Sequence, residues 1–190
     1  MDLILRGGRV IDPAGGVDAI CDVGFVDGRV AALAPRIAGT ARDERDVAGA
    51  IVTPGMIDLH THVYWGGTSI GVEAEPIARR SGTTTFVDAG TAGPGNFPGF
   101  RRHIIEPSPL RILAYLNVSF AGIFAFSRTV MVGESSDLRL LDLNECVRVA
   151  RENLDLIVGV RCASGEAPAA RAASRRSTWH SRSPTSSACR

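Results

Sequence analysis

The sequence contains no lysine and no glutamine, and all 21 of its basic residues are arginine. Codon usage in a GC-rich genome would account for both absences, but the first excludes any site built on a lysine amine. Neither positive nor negative residues predominate, since the formal net charge is +1 at pH 7. This balance argues against nucleic acid or a membrane surface as a partner held by bulk electrostatics.

Long apolar runs are absent as well. No segment approaches the roughly 18 apolar residues that a membrane helix needs. The opening residues 1–6 carry an acid where a signal peptide has basic residues, so we expect no secretion signal and a cytoplasmic protein. No C-x-x-C pair occurs, and we expect free thiols in a reducing compartment. The four cysteines are widely spaced: Cys21, Cys146, Cys162 and Cys189.

Residues 1–52 are predicted to form a β-rich module. Short β-branched runs alternate with turn residues, which is typical of a meander. The dipeptide Asp27-Gly28 favours a two-residue type I′ hairpin, and 12–16 predicts another reversal. The predicted strands are 3–5, 9–11, 23–26 and 29–33.

Residues 53–160 change to an alternation of strands and helices. Such an order predicts parallel strands joined by crossover helices, with chemistry at the carboxyl ends of the strands. The predicted strands are 57–60, 83–88, 111–117 and 156–160. The predicted helices are 72–80, 97–105 and 142–153, the first closed by Ser81-Gly82 and the second ended by Pro107 and Pro109.

Two histidines stand at the end of the first of these strands. Successive side chains of a strand alternate faces, so His60 and His62 point the same way, roughly 6–7 Å apart along the strand. Two neutral imidazoles on a rigid strand suit a zinc-type ion that keeps a position open for water. The pattern alone also fits two histidines at an exposed strand end.

The segment 54–62, Pro-Gly-Met-Ile-Asp-Leu-His-Thr-His, resembles the P-G-x-I-D-x-H-x-H signature of the amidohydrolase superfamily of metal-dependent hydrolases. The opening 6–13 and the strand ending 26–30 are similar to the dihydroorotase, hydantoinase and D-aminoacylase group. The segments 64–68, 81–90 and 96–100 resemble the amidohydrolase/deacetylase branch. The resemblance covers about residues 1–160.

This resemblance implies an α/β fold, the N-terminal half of a (β/α)8 TIM-type barrel preceded by a small β-sandwich segment. It assigns His60 and His62 to the more buried of two divalent metals, with zinc as the expected cofactor. In the family a carboxylated lysine of the fourth strand bridges the metals, later strands supply further histidines, and an aspartate is the general base. Here Arg161 stands at or next to the lysine position, and a guanidinium cannot form the carbamate.

Several other residues near the predicted site have two interpretations each. Asp58 could orient a ligand imidazole or satisfy backbone at the strand edge. Pocket-lining roles compete with loop capping for three residues at or after strand ends: Tyr64, Asp88 and Asn117. Packing or a solvated position is favoured over metal binding for His103, which falls in the second predicted helix. His180 lies in the predicted tail with no strand around it and is not expected to be a ligand. A reactive role for Cys162 has little support.

Residues 161–190 are rich in Ala, Ser and Arg, which predicts a disordered tail or, alternatively, a lost reading frame. The main hypothesis is a hydrolase of amide, cyclic amide or acyl bonds in small molecules, with this chain inactive alone. A homo-oligomer is left open for the full-length form. The alternatives are a non-catalytic truncated fragment with residual metal binding and, with little support, a β-module used for binding.

Overall fold

The computed structural model describes residues 1–132 and 134–162. These residues form two compact units that divide between Gly55 and Met56. The sequence predicts the boundary between 52 and 53, and the tail prediction for 161–190 lies outside the described residues except at Arg161 and Cys162. Arg161 still belongs to a strand.

The first unit is a five-stranded sheet in the order β3-β2-β1-β4, with β5 also paired to β1. Its strands are β1 (Leu3–Asp12), β2 (Val17–Val26), β3 (Arg29–Ala34), β4 (Asp43–Asp46) and β5 (Ile51–Val52). The hairpin predicted at Asp27-Gly28 is present, with φ of 49° and 72° at the two residues. The small core of the first unit is formed by Val10, Cys21 and Val23.

The sequence predicts two strands where the structure has the single strand β1. Between them, Gly7 adopts a φ of 69° and the pairing with β2 shifts register from Leu5 to Gly8. This is a β-bulge, which glycine permits because it lacks a Cβ. The glycines therefore kink one strand and do not separate two.

The second unit is a parallel sheet of four strands in sequential order. Its strands are β6 (Met56–Thr61), β7 (Thr83–Asp88), β8 (Arg111–Asn117) and β9 (Ile157–Arg161). The crossover helices are α1 (Ala74–Ser81), α2 (Phe97–Phe100) and α3 (Leu143–Glu152). A π-helical turn, Arg101–Ile105, continues α2, and a 3-10 turn, Leu138–Leu140, precedes α3.

Local chemistry explains where these helices begin and end. Gly82 follows α1 in the left-handed region, with φ of 71°, and its N–H bonds the carbonyl of Ala78. The carboxylate of Asp142 accepts the N–H of Glu145 and caps α3. Pro76 lies in the first turn of α1, where its missing N–H costs nothing.

The helices pack on the sheet around one apolar core. The largest fully buried members come from β7, α2 and β8: Phe86, Phe97, Phe100 and Leu116. Cys146 and Val149 of α3 join them. Within the described residues, no helix is both long and apolar enough to cross a bilayer. The packed core holds the carboxyl ends of the four strands at one edge of the sheet.

Candidate metal site

The polar residues of the second unit gather where its strands end. His60 lies near the end of β6 and His62 follows it, while Asp88, Asn117 and Arg161 end the next three strands. Asn117 is paired directly with Arg161 in the register of β8 and β9. Parallel strands bring these ends to one edge of the sheet, where enzymes of this layout place their chemistry.

The two imidazoles are close enough to share one cation. Their ring centroids are 5.8 Å apart and the rings are nearly perpendicular, at 80°. A zinc–nitrogen bond of about 2.1 Å puts each centroid about 3.2 Å from the metal, so a shared ion allows up to about 6.4 Å between centroids. The observed separation fits a shared ion, and His60 and His62 would be the two ligands.

His62 is held from behind by a buried polar relay. Its Nδ1 lies 2.7 Å from the hydroxyl of Thr91, which donates to Asp88 Oδ2 at 2.8 Å. Asp88 is fully buried and also accepts the N–H groups of Thr91 and Val63. Burial raises the pKa of Asp88, and these hydrogen bonds oppose that effect.

A second polar group lies beside the histidines. Arg161 forms an ion pair with Glu134 at 2.9 Å and also donates to the carbonyl of Ala89. Asn117 donates to Glu134 at 3.2 Å and to the carbonyl of Gly90 at 3.0 Å. Burial raises the pKa of Glu134, whereas Arg161 lowers it. The arginine therefore fixes the connection between β8 and α3 against the strand ends.

The electrostatics of the site both favour and oppose a metal. Burial, followed by the positive charge of Arg161, lowers the pKa of His62 to about 4, so its ring is neutral at pH 7. A neutral ring can bind a metal. The same guanidinium, however, repels a cation. Within the described residues, no cluster of three or more histidine, cysteine, aspartate or glutamate side chains could hold a metal ion.

The other residues singled out in the sequence have structural roles here. Asp58 accepts the N–H of His60 at 3.0 Å, so it satisfies backbone at the strand edge. Tyr64 stacks on Phe100 at 4.6 Å and donates to the carbonyl of Asn96. Asp88 accepts the N–H groups of Val63 and Thr91, and Asn117 donates to the carbonyl of Gly90. Both residues therefore hold loop backbone, as the capping interpretation predicts.

Two further candidates lie away from the histidine pair. His103 is exposed on the π-helical turn, at a groove that also includes Trp65 and Arg79. Cys162 is an exposed free thiol, while Cys21 and Cys146 are buried free thiols. His180 and Cys189 lie outside the described residues. The groove contains neither His60 nor His62, so it is not part of the candidate site.

Sequence reasoning did not find Thr91 or Glu134. Thr91 lies in a loop of small residues, 29 positions from His62, and Glu134 lies in the long connection after β8. Neither follows a strand directly or belongs to a recognisable motif. The only available signal for Thr91 was its place three residues after Asp88, a spacing at which a carboxylate bonds the loop backbone.

Comparisons with known proteins agree with the fold and the histidine motif, although no protein-family model matches the chain. The chain is 41% identical to a deacetylase of Agrobacterium fabrum over 136 residues, which are 71% of this chain and 33% of that protein. It is 46% identical to a dihydroorotase of Solibacter usitatus over 63 residues, 33% of this chain and 15% of that protein. The chain therefore spans about a third or less of these curated relatives.

A solved structure gives the same result. The crystal structure of a dihydroorotase matches with a TM-score of 0.71 and 35% identity, covering 83% of this chain and 41% of that one. The chain belongs to the amidohydrolase superfamily, and its second unit is the first half of that family's (β/α)8 barrel.

Proposed function

We propose that this chain is part of a metal-dependent hydrolase that cleaves amide, cyclic amide or acyl bonds of small molecules. The observation that carries the proposal is the pair His60 and His62, whose ring centroids lie 5.8 Å apart at the carboxyl edge of the sheet. The long match to a deacetylase supports a deacetylase-like activity. The shorter match to a dihydroorotase supports the same hydrolytic chemistry on a cyclic amide.

In this proposal the chain's own residues prepare two ligands. His60 lies in β6 and His62 directly follows it. The hydrogen bond to Thr91 orients the ring of His62, and burial, followed by the charge of Arg161, keeps that ring neutral. A divalent ion, with zinc as the expected one, supplies an activated water and polarises the scissile carbonyl when it is bound. The family similarity supports a divalent metal, and the identity of the metal is part of the proposal.

Two imidazoles are too few for a catalytic zinc, which needs about three protein ligands. The described residues supply no three-membered cluster. We therefore infer that the remaining ligands lie outside the described residues, and that this chain alone does not hydrolyse substrates. The buried free thiols Cys21 and Cys146 support a reducing, cytoplasmic location.

A second candidate function is favoured by Arg161. A guanidinium next to the histidines repels a second cation and cannot form the carbamate that the family resemblance implies at this strand end. A non-catalytic fragment with residual metal binding would show this combination of intact imidazoles and an opposing charge. The two candidates predict the same two ligands in this chain, and they differ in whether the complete protein hydrolyses a substrate.

Calorimetric titration of the full chain with zinc tests the ligand assignment. We expect one ion per chain, with an affinity that falls about tenfold or more in His60→Ala and in His62→Ala. His103→Ala and His180→Ala are matched controls that should bind zinc as the unaltered chain does. Equal affinity in all four variants would remove the assignment. Zinc-dependent hydrolysis of N-acetyl amino acids by this chain would contradict both the non-catalytic fragment and the inference that the chain is inactive alone.

A further inference from the structure

We propose that Thr91 and Asp88 are positioning residues that fix the tautomer of His62 and direct its Nε2 lone pair toward the metal. The inference deepens the proposed function and rests on it, because it assumes that His62 is a ligand. It adds Asp88, the last residue of β7, and Thr91 of the following loop to a site otherwise assigned only to His60 and His62.

Asp88 is the fixed end of this relay. Its side chain is fully buried and its two oxygens accept three hydrogen bonds, of 2.7 Å from Thr91 N–H, 2.8 Å from Thr91 hydroxyl and 2.9 Å from Val63 N–H. A carboxylate is an acceptor only. Both backbone groups must donate. With Asp88 ionised, as the proposal requires, the third bond also runs toward the carboxylate, and the Thr91 hydroxyl is its donor.

Thr91 has a single hydroxyl hydrogen, which it donates to Asp88 in a hydrogen bond. Toward His62 Nδ1, 2.7 Å away, the same oxygen can then only accept. The Nδ1 atom must therefore carry the ring proton. In a neutral imidazole the other nitrogen, Nε2, is left with its lone pair, which is the form that binds a metal.

His60 differs from His62 in this respect. Among the described residues no side chain bonds the ring of His60, whose backbone N–H is bonded to Asp58. His60 is also exposed, whereas His62 is partly buried and Thr91 is fully buried. The two imidazole rings of one motif thus differ in hydrogen bonding and in burial. His60 can therefore serve as an internal reference for the tautomer of His62.

The first test is the tautomer of His62 in the metal-free full chain, read from two- and three-bond ¹H–¹⁵N couplings in NMR at pH 7.5. We expect the pattern of Nδ1–H for His62, with Nε2 unprotonated, and no such restriction for His60. A pattern of Nε2–H for His62 would overturn the proposal. It would mean that a protonated Asp88 donates to Thr91 and reverses the relay.

Two variants separate positioning from packing. Thr91→Val keeps the shape but removes the hydroxyl, while Thr91→Ser keeps the hydroxyl. We expect Thr91→Val to lose the Nδ1–H restriction and to bind zinc about 10-fold to 100-fold more weakly, the usual range for a partner behind a metal ligand. We expect Thr91→Ser to retain the tautomer and the zinc affinity of the unaltered chain.

The outcomes distinguish this proposal from the proposed function. If Thr91→Val keeps both the tautomer and the zinc affinity, Thr91 is not a positioning residue. If Thr91→Val fails to fold, the tautomer of the unaltered chain and its retention in Thr91→Ser decide the matter. If the Nδ1–H form is present but no zinc binds, the metal assignment fails while the relay is confirmed.

Discussion

Arg161 is the residue whose chemistry opposes the metal most directly. Its charge contributes to the lowered pKa of His62, after burial, so it acts electrostatically at that ring. We expect Arg161→Met to tighten zinc binding by about fivefold, since one unit charge at a partly exposed site contributes roughly 1 kcal/mol. Calorimetric titration at fixed ionic strength measures the change.

Two further variants identify the cause of that gain. Arg111→Met removes an exposed arginine at the opposite end of β8 and should leave zinc affinity unchanged. Because Arg161→Met also releases Glu134, the carboxylate could become a third ligand. If it does, the double variant Arg161→Met/Glu134→Gln loses the gain, whereas a purely electrostatic effect persists. Unchanged affinity in Arg161→Met contradicts the proposed repulsion.

The sequence identified the two candidate ligands, His60 and His62, but not the residues that surround them. His60 and His62 can be predicted because the alternation of a strand fixes their common direction locally. The Thr91 and Glu134 contacts join loops that are distant in the chain, and they exist only once β7, β8 and β9 are in register. The ligand role of the histidines itself stays a prediction until metal binding is measured.

Asp22 in the first unit gives a prediction about pH. It is nearly fully buried and accepts hydrogen bonds from Ile37 N–H, the Arg6 guanidinium and Gly7 N–H. The bonds from Ile37 and Arg6 do most to lower the pKa of Asp22 from 3.8 to about 2. A depressed carboxyl pKa stabilises the folded state above the unfolded pKa and loses that effect as pH falls through the folded value.

We therefore expect Asp22→Asn to destabilise the first unit at pH 7, with a difference from the unaltered chain that shrinks between about pH 4 and pH 2. Hydrogen exchange of the β1 and β2 amides, measured across this range, reports the unit directly. Asp18→Asn is the control, because Asp18 pairs with Arg9 at the surface and should cost little. A difference that stays constant down to pH 2 would contradict the assignment to Asp22.

At the scale of elements, local sequence determined some boundaries and not others. The strands β7 and β8 were predicted at their observed ends, because glycine, proline and polar residues bound each apolar run. The strands β4 and β5 were not predicted. The first is wholly charged and exposed, and the second has two residues, so both are strands only because β1 offers them a partner.

The loops after β7 and β8 meet at Gly93 and Gly122, and this contact lies against the backbone of Thr91. Gly122 has a φ of 64°, and a Cβ there would lie 2.2 Å from the carbonyl oxygen of Thr91. That oxygen already accepts the N–H of Ile123 at 2.9 Å. We expect Gly122→Ala to cost about 2–5 kcal/mol in the free energy of unfolding, from left-handed strain and overpacking together.

Gly66→Ala is the matched control for backbone strain alone. Gly66 has a similar φ of 77° with open space around its Cβ position, so we expect a loss of only about 1–2 kcal/mol. Urea unfolding followed by tryptophan fluorescence measures both. If the two variants lose the same free energy of unfolding, the close approach of Gly122 to Thr91 does not contribute to the cost of the substitution.

At the scale of the whole molecule, the second unit has the open edges of an unclosed barrel. In the described sheet β6 is paired on one side, with β7. Three of its apolar side chains are exposed by 60–70%: Met56, Ile57 and Leu59. A long apolar edge with unpaired backbone groups is a template for pairing with another chain. The family's closed barrel removes such edges, and this sheet retains them.

We therefore expect the isolated chain to self-associate as its concentration rises, through the edge formed by β6. A charge on an edge strand opposes such pairing, so Leu59→Lys should shift association to higher concentration by about tenfold or more in sedimentation velocity. Leu154→Lys places the same charge at an equally exposed leucine outside any strand and should leave association unchanged. A chain that stays monomeric throughout, or equal effects of the two lysines, would show that the β6 edge does not drive association.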